Sequence, residues 1–304
     1  MYKTISDQRI FMNTKVEFIT WTETDRDKVH ELFDKGFQQF HFVIDKFSRF
    51  KKDSELSKLN HSNGRKAKVS QELFSLIEFA LDIADKTNGA YDPTVIDFLE
   101  TYGYGAKYDF SRLKNKNLIK KEVAEILKTR PSFKDIKINK SSLIIKLAQN
   151  QKIDLGSIGK GYAIDRAFNE LLPLENFLIN AGGDIQAKGI NKNNKPWLVG
   201  LKVPKFGQIG KIKLDDKAIC CSGSWARKVK FFHHLINPKT GIPQNDIKAT
   251  FILSKTAIEA DAWSTALFVS GKNCKDLINK YRIKAVIVND KNNIKKFGIN
   301  LLNL

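Results

Sequence analysis

Two hydrophobic periodicities run through the chain, and they do not alternate in a strand–helix–strand rhythm. Val29, Leu32, Phe33, Phe37, Phe40 and Ile44 keep the spacing of an amphipathic helix, with Thr24 and Asp25 as N-cap candidates and an end near Phe47. A second helical face follows at Leu73, Leu76, Ile77, Ala80, Leu81 and Ala84, capped by Ser70, with Gly89 placed as a C-terminal glycine. Ahead of both, RIFMNTKVEFITW (residues 9–21) partly alternates and predicts a strand. Residues from about 112 to 148 predict a helix and then a strand in SSLIIKLA. A strand ending near Leu155 runs into glycines and a helix at about 159–172. Further strands are predicted around Phe177 and Ile185 and at 198–203, 209–214 and 229–234. Helices at about 257–269 and 272–281 precede a last strand pair, 285–288 and 294–297. Without βαβ alternation the pattern predicts an α+β fold, mixed or antiparallel sheets with packed helices. No G-x-G-x-x-G or Walker A sequence is present, so a Rossmann or P-loop site has no support. No repeat or low-complexity linker divides the chain, and residues 1–304 read as a single domain.

Composition narrows the function classes. At 304 residues, 42% hydrophobic and 28% charged, the chain can bury a core without disulfides, and collagen-like, mucin-like and wholly disordered classes are excluded. Cys220 and Cys221 are adjacent and Cys274 is alone, which gives neither a disulfide scaffold nor CxxC spacing for zinc. The net charge is 52 − 33 = +19, mostly from scattered Lys. A nucleic-acid surface would cluster that charge and interleave aromatics, so the excess reads as a solvated Lys-rich surface without a nucleic-acid partner. The other reading is a field that attracts an anionic ligand or an acidic partner. The first fifteen residues hold no apolar run and no segment approaches 18 apolar residues, so the expectation is a cytoplasmic protein without signal peptide or membrane segment, or an exported one whose leader has been removed.

Four stretches carry candidate chemistry. In IDLGSIGKGYAID (Ile153 to Asp165), Asp154 closes an apolar strand, and Gly156, Gly159 and Gly161 let the backbone approach a ligand. Lys160 sets a cation beside free amides at a helix start, an environment for phosphate. Glycines placed for packing at a strand-to-helix turn explain the same pattern. In NAGGDIQAKG (Asn180 to Gly189), Gly182-Gly183 permits close approach and Asp184 could accept hydrogen bonds, although a tight turn explains it equally well. In HHLINPKTGIP (His233 to Pro243), a histidine beside a polar turn suits a general base, while the turn and the histidines also fit purely structural roles. In EADAWSTALFVSG (Glu259 to Gly271), Asp261 and Thr265 share a helix face beside Ser264, hard-oxygen chemistry suited to Mg²⁺ with phosphate oxygens completing the shell. Asp261 as a helix N-cap is the structural alternative.

Taken in order, these residues resemble the FAD:protein FMN transferase (ApbE) family. The family's Met-Gly-Thr appears as Met12-Asn13-Thr14, its Ser-x-Tyr/Phe as Ser48-Arg49-Phe50, and its Asp-Ser-Glu-Leu-Ser as Asp53 to Ser57 with Asn60. Gly-Ala-Tyr-Asp-Pro-Thr stands at Gly89 to Thr94, and the Asp154 and Asn180 stretches follow, then Ser222-Gly223 with Arg227. The His-x-Ile-Asp-Pro pattern starts at His234, and Ala-Asp-Ala-x-Ser-Thr-Ala at Ala260. The resemblance implies a T-fold-related architecture and a reaction: FAD is split at its diphosphate, FMN passes to a Thr hydroxyl of an acceptor flavoprotein through a phosphoester, and AMP leaves, with Mg²⁺ required. It implies FAD contacts at Met12, Phe50, Ala90, Tyr91, Asp92, Asp154, Lys160 and Ile236. It implies a Mg²⁺ site of Asp261, Ser264, Thr265 and the Ser157 carbonyl, and catalytic roles for Asp261 and for His234 as base. Mg²⁺-dependent FAD hydrolysis to FMN and AMP, or flavin binding without turnover, are the alternatives; a carrier would need no metal. Asn13, Asn237 and Cys221 depart from the family's Gly, Asp and Thr.

Overall fold

The structure is a computed structural model that describes every residue except Ala106, Phe231 and Leu304, and the backbone alone of Arg112. Its frame is an eight-stranded sheet in which each strand is antiparallel to its neighbours and spatial order follows chain order. The strands are β1 (Lys3–Phe11), β2 (Thr14–Thr22), β3 (Phe177–Ala181), β4 (Asp184–Lys188), β5 (Ala218–Gly223), β6 (Ile247–Ser254), β7 (Lys284–Asn289) and β8 (Ile294–Phe297). Among the described residues β1 and β8 pair on one side only, so the sheet is open rather than a closed barrel.

The strand expected at 9–21 is instead a hairpin. Phe11 pairs with Thr14, and Met12 and Asn13 between them have φ of 50° and 59°. Two consecutive left-handed residues form the turn that matches strand twist. The sequence hides it because neither residue is glycine. The β3–β4 turn has the usual chemistry, Gly182 and Gly183 at φ 63° and 99°. The strand expected at 229–234 is only a bridge between Val229 and Phe232, with Phe231 outside the described residues. The strand expected to end near Leu155 is absent there, and β5 was not expected.

Residue alternation sorts the sheet into two faces. Ile179, Ala181, Cys220 and Ile252 join a core with α1 (Arg26–Phe47) and with further helices described below, while Leu178, Ile185, Ile219 and Phe251 face the ribbon Trp197–Val203 and Gly207–Leu214. Adjacent Cys220 and Cys221 thus point to opposite faces. Asp25 caps α1, its carboxylate accepting from Asp27 N at 2.9 Å, and Phe37 stacks on Phe18 with ring centroids 4.1 Å apart. The helices α2 (Glu55–Asn60) and α3 (Gln71–Lys86), the latter capped by Ser70, complete this side. A separate apolar cluster gathers α4 (Ile96–Thr101) and α5 (Lys116–Thr129) around Phe98, Tyr102, Tyr104 and Ile236. The helices α6 (Gly159–Glu170), α7 (Ala257–Ser270) and α8 (Cys274–Tyr281) follow, and α6 and α7 pack on the sheet beside α1. A cleft opens where the sheet, α6 and α7 meet the α4–α5 cluster.

Candidate active site

The inner wall of the cleft depends on how α6 meets α7. Thr256 makes no capping bond at the start of α7; Asp165 of α6 supplies the cap, accepting from Ala257 N and Ile258 N at 2.8 Å each. Asp261 is therefore not the cap but lies inside the helix, buried. Gly161 explains the closeness of the two helices: a Cβ there would stand 2.5 Å from the Ala257 carbonyl oxygen. The glycine read as a point of ligand approach brings helix to helix, and its N–H donates to Asp261 Oδ2 at 3.0 Å. Gly156 and Gly159 do line the cleft.

Lys160 follows the first α6 residue into the cleft. It is ion-paired with Asp184 at the start of β4, and its Nζ is 3.9 Å from Asp261 Oδ1. Asp184 also accepts from Cys221 N at 2.8 Å. Beyond Lys160 stand Asp261, Thr265, Ser222 and Ser157. Ser157 Oγ donates to the Tyr91 hydroxyl at 3.0 Å. Ser264, expected as a metal ligand, does not reach this wall. Its fully buried hydroxyl shares a 2.7 Å hydrogen bond with Ser222 and donates to the Asp261 carbonyl at 2.8 Å. Burial raises the Asp261 pKa, opposed by Lys160, by the Gly161 N–H and by Arg227. Among the described residues no three His, Cys, Asp or Glu side chains converge to hold a metal. One carboxylate, the Thr265 hydroxyl and main-chain oxygen are a donor set that fits a hard divalent cation sharing its shell with phosphate oxygens.

His234, Ile236, Ala90, Tyr91 and Asp92 line the same cleft. His234 Nδ1 lies 3.1 Å from the Ala226 carbonyl oxygen. A carbonyl can only accept, so Nδ1 carries the proton and Nε2 keeps its lone pair. The ring retains a half-buried edge in the cleft while protein atoms surround it; burial first, then the charge of Arg227, pushes its pKa down to about 3. The imidazole is neutral at pH 7. Its neighbour His233 is buried against Phe268 and accepts from Leu235 N, a structural position. Asp92, expected to contact the ligand, has both carboxylate oxygens engaged: Oδ1 by Thr94 and Oδ2 by Arg130 at 3.0 Å. Its side chain braces the wall.

The cleft continues into an apolar cavity of about 620 Å³ lined by Met12, Phe47, Phe50, Tyr104, Tyr108 and Phe110. Asp154 stands between the two parts, accepting from Arg49 Nε at 2.9 Å and from Gly156 N at 2.7 Å. Arg49 also stacks over Phe50, its Cζ 4.2 Å from the ring centroid. The structure therefore brings Met12, Phe50, Ala90, Tyr91, Asp92, Asp154, Ser157, Lys160, His234, Ile236, Asp261 and Thr265 to one continuous cleft. Sequence reasoning assigned no site role to Arg49, Tyr104, Ser222 or Arg227. Arg227, which pairs with no carboxylate among the described residues, lines both parts of the cleft. An acid-free run from Lys217 to Asn245 was the visible signal for it.

Helices on one face of an open antiparallel sheet, with a cleft at their junction, place the chain in a known α+β class. The ApbE protein of Thermotoga maritima superposes with a TM-score of 0.87 at 28% identity, covering 98% of this chain and 97% of that one. The flavin transferase ApbE of Vibrio cholerae shares the fold, with a TM-score of 0.85 at 22% identity over 98% and 97% of the two chains. The sequence model of the ApbE family matches residues 12–287. The FAD:protein FMN transferase of Haemophilus influenzae is 31% identical over 90% of this chain and 78% of its own. That of Buchnera aphidicola is 30% identical over 83% and 80%. The chain belongs to the ApbE family.

Proposed function

We propose that this chain, acting as one unit, is an FAD:protein FMN transferase that moves FMN from FAD to a threonine hydroxyl of an acceptor flavoprotein. The observation that carries the reading is His234: its Nδ1–H is committed to Ala226, so a bare Nε2 is left in a cleft that also holds Lys160, Arg227 and Asp261. In the reaction the threonine oxygen attacks the phosphorus on the FMN side of the diphosphate. The bond from that phosphorus to the bridging oxygen breaks, AMP departs with the electron pair, and the threonine proton passes to His234 Nε2. A base with a pKa near 3 is weak, but the cation Arg227 is one cause of that depression. A bound diphosphate offsets that charge and raises the imidazole's pKa, making it a stronger base.

Asp261, Thr265 and the Ser157 carbonyl would hold Mg²⁺, which would neutralise charge developing on the phosphoryl oxygens. Ser264 holds Ser222 at 2.7 Å, and the Ser222 hydroxyl in turn lies 3.3 Å from that of Thr265. Met12 and Phe50 offer apolar surface and Ile236, Ala90 and Tyr91 line the polar part, where a flavin nucleotide's rings and phosphates divide in the same way. Lys160 and Asp154 stand between them.

The test mixes the protein with FAD, Mg²⁺ and a threonine-bearing flavoprotein domain. An acceptor band that stays fluorescent on a denaturing gel supports transfer. Release of FMN and AMP without labelling would favour hydrolysis, and a yellow protein holding intact FAD would favour a carrier. His234→Ala should bind FAD normally and lose transfer; full transfer by that variant would remove the base assignment.

A further inference from the structure

We infer that Tyr104 is a positioning residue for the reaction, holding the turn that fixes the tautomer of His234; the inference rests on His234 being the base. Two consecutive carbonyls of one turn are engaged in opposite directions. The Ala226 carbonyl accepts from His234 Nδ1 at 3.1 Å, and the next carbonyl, of Arg227, accepts from the Tyr104 hydroxyl at 2.6 Å. Two long backbone bonds close this turn, Ala226 N to the Gly223 carbonyl at 3.2 Å and Lys228 N to the Trp225 carbonyl at 3.4 Å, so the 2.6 Å Tyr104 bond is its shortest tie. Ala226 and Arg227 are both exposed, and Arg227 has φ of 50°, a left-handed conformation that a non-glycine residue adopts only at a cost. Tyr104, by contrast, is only 3% exposed and is anchored in the α4–α5 cluster. Its ring meets Phe110 edge-on at 5.2 Å and His234 at 6.4 Å between centroids.

Tyr104 is tied to the far side of the cleft as well. Its own carbonyl accepts from an Arg49 guanidinium nitrogen at 2.6 Å, and Arg49 Nε donates to Asp154 at 2.9 Å. One polar chain thus runs from Asp154 through Arg49 and Tyr104 to the 226–227 turn and His234. Burial pushes the Tyr104 hydroxyl up to about 12, so it remains a donor through the neutral range. The consequence for chemistry is specific. If the turn drifts, Nδ1 loses its acceptor, the imidazole exchanges tautomers, and Nε2 carries the proton part of the time, when it cannot accept one.

Tyr104→Phe removes one oxygen and keeps the ring. We expect kcat for FMN transfer to fall about tenfold with the KM for FAD within twofold and the urea midpoint unchanged, as for a misplaced rather than a missing group. The second readout needs neither metal nor FAD: ¹⁵N shifts of the His234 ring should report a single Nδ1–H tautomer in the wild-type chain and a mixture in Tyr104→Phe. A wild-type ring protonated on Nε2 would overturn the inference whatever the variant does. So would a Tyr104→Phe enzyme with wild-type kcat. His234→Ala separates the two levels. If that variant transfers FMN at full rate, the base assignment itself fails. If it is inactive while Tyr104→Phe is unimpaired, only the positioning role fails.

Discussion

Gly161→Ala is the most demanding test of how this site is built. A Cβ at 161 would lie 2.5 Å from the Ala257 carbonyl oxygen, 2.7 Å from its carbon and 2.8 Å from the Ile258 Cα. All three are backbone atoms of α7, so no side chain can swing away. Restoring an ordinary contact of about 3.4 Å requires α6 and α7 to part by about 0.9 Å, because interiors are packed without slack. Overpacking of this kind costs about 1–3 kcal/mol. The same displacement stretches the 3.0 Å bond from Gly161 N to Asp261 Oδ2 beyond hydrogen-bond range, and a lost bond to a buried charged group costs about 1.5–3 kcal/mol. The sum is about 2.5–6 kcal/mol in urea denaturation, together with a shift of Asp261 near 1 Å that should lower transfer about a hundredfold. Gly159, two residues earlier, is the internal control, since a Cβ there meets nothing within 4 Å. Gly159→Ala should leave stability unchanged or slightly raised, alanine being the better helix former. A Gly161→Ala protein as stable and active as wild type would refute the helix–helix reading. So would equal damage from both substitutions.

Other consequences follow from single groups. Arg227→Ala should raise the KM for FAD about 10- to 100-fold in steady-state assays, because a guanidinium that pairs with no carboxylate among the described residues and lines both parts of the cleft offers charge-assisted bonds to a diphosphate. Asp165 has its pKa raised from 3.8 to about 6, chiefly by burial and against the pull of its bonds to Ile258 and Ala257. Its folded form holds the proton more tightly than the unfolded chain, so its contribution to stability is complete below about pH 4 and lost as pH rises through about 6. Asp165→Asn should flatten that fall in denaturation series between pH 4 and 7.

Helix α1 was readable because every cue agreed: a cap at Asp25, apolar spacing to Phe47, and a packing face that glycine at 36 opens to Phe18. The hairpin at Met12 was not, since only Asn13 of its two left-handed residues is of a type that favours that conformation and no glycine marks the turn. The family motifs located most of the cleft because they sit at strand ends and helix starts. They could not reveal that Ser264 and Asp92 spend their hydrogen bonds on Ser222, Thr94 and Arg130. Two of those partners, Ser222 and Arg130, are more than thirty residues away along the chain, and the fold alone brings them close. Tyr104 was invisible for a different reason: its partners are carbonyl groups, which every residue possesses, so no residue type marks the far end of the bond.

The same comparison changes what the basic excess means. Lys160 looked like a free cation for phosphate, yet it is paired with Asp184 and stands 3.9 Å from Asp261. Two carboxylates that close would repel a diphosphate if left alone, and Lys160 offsets them without adding net positive charge. Attraction therefore falls to Arg227, which has no carboxylate partner among the described residues, and to any divalent ion bound at Asp261. The net +19 is spread over the surface and screened within about 8 Å at physiological salt, whereas the cleft's charges are held in a partly buried cavity where screening is weak. Raising salt should then weaken encounter with FAD far less than removing Arg227 does, because recognition is local and the surface field is not.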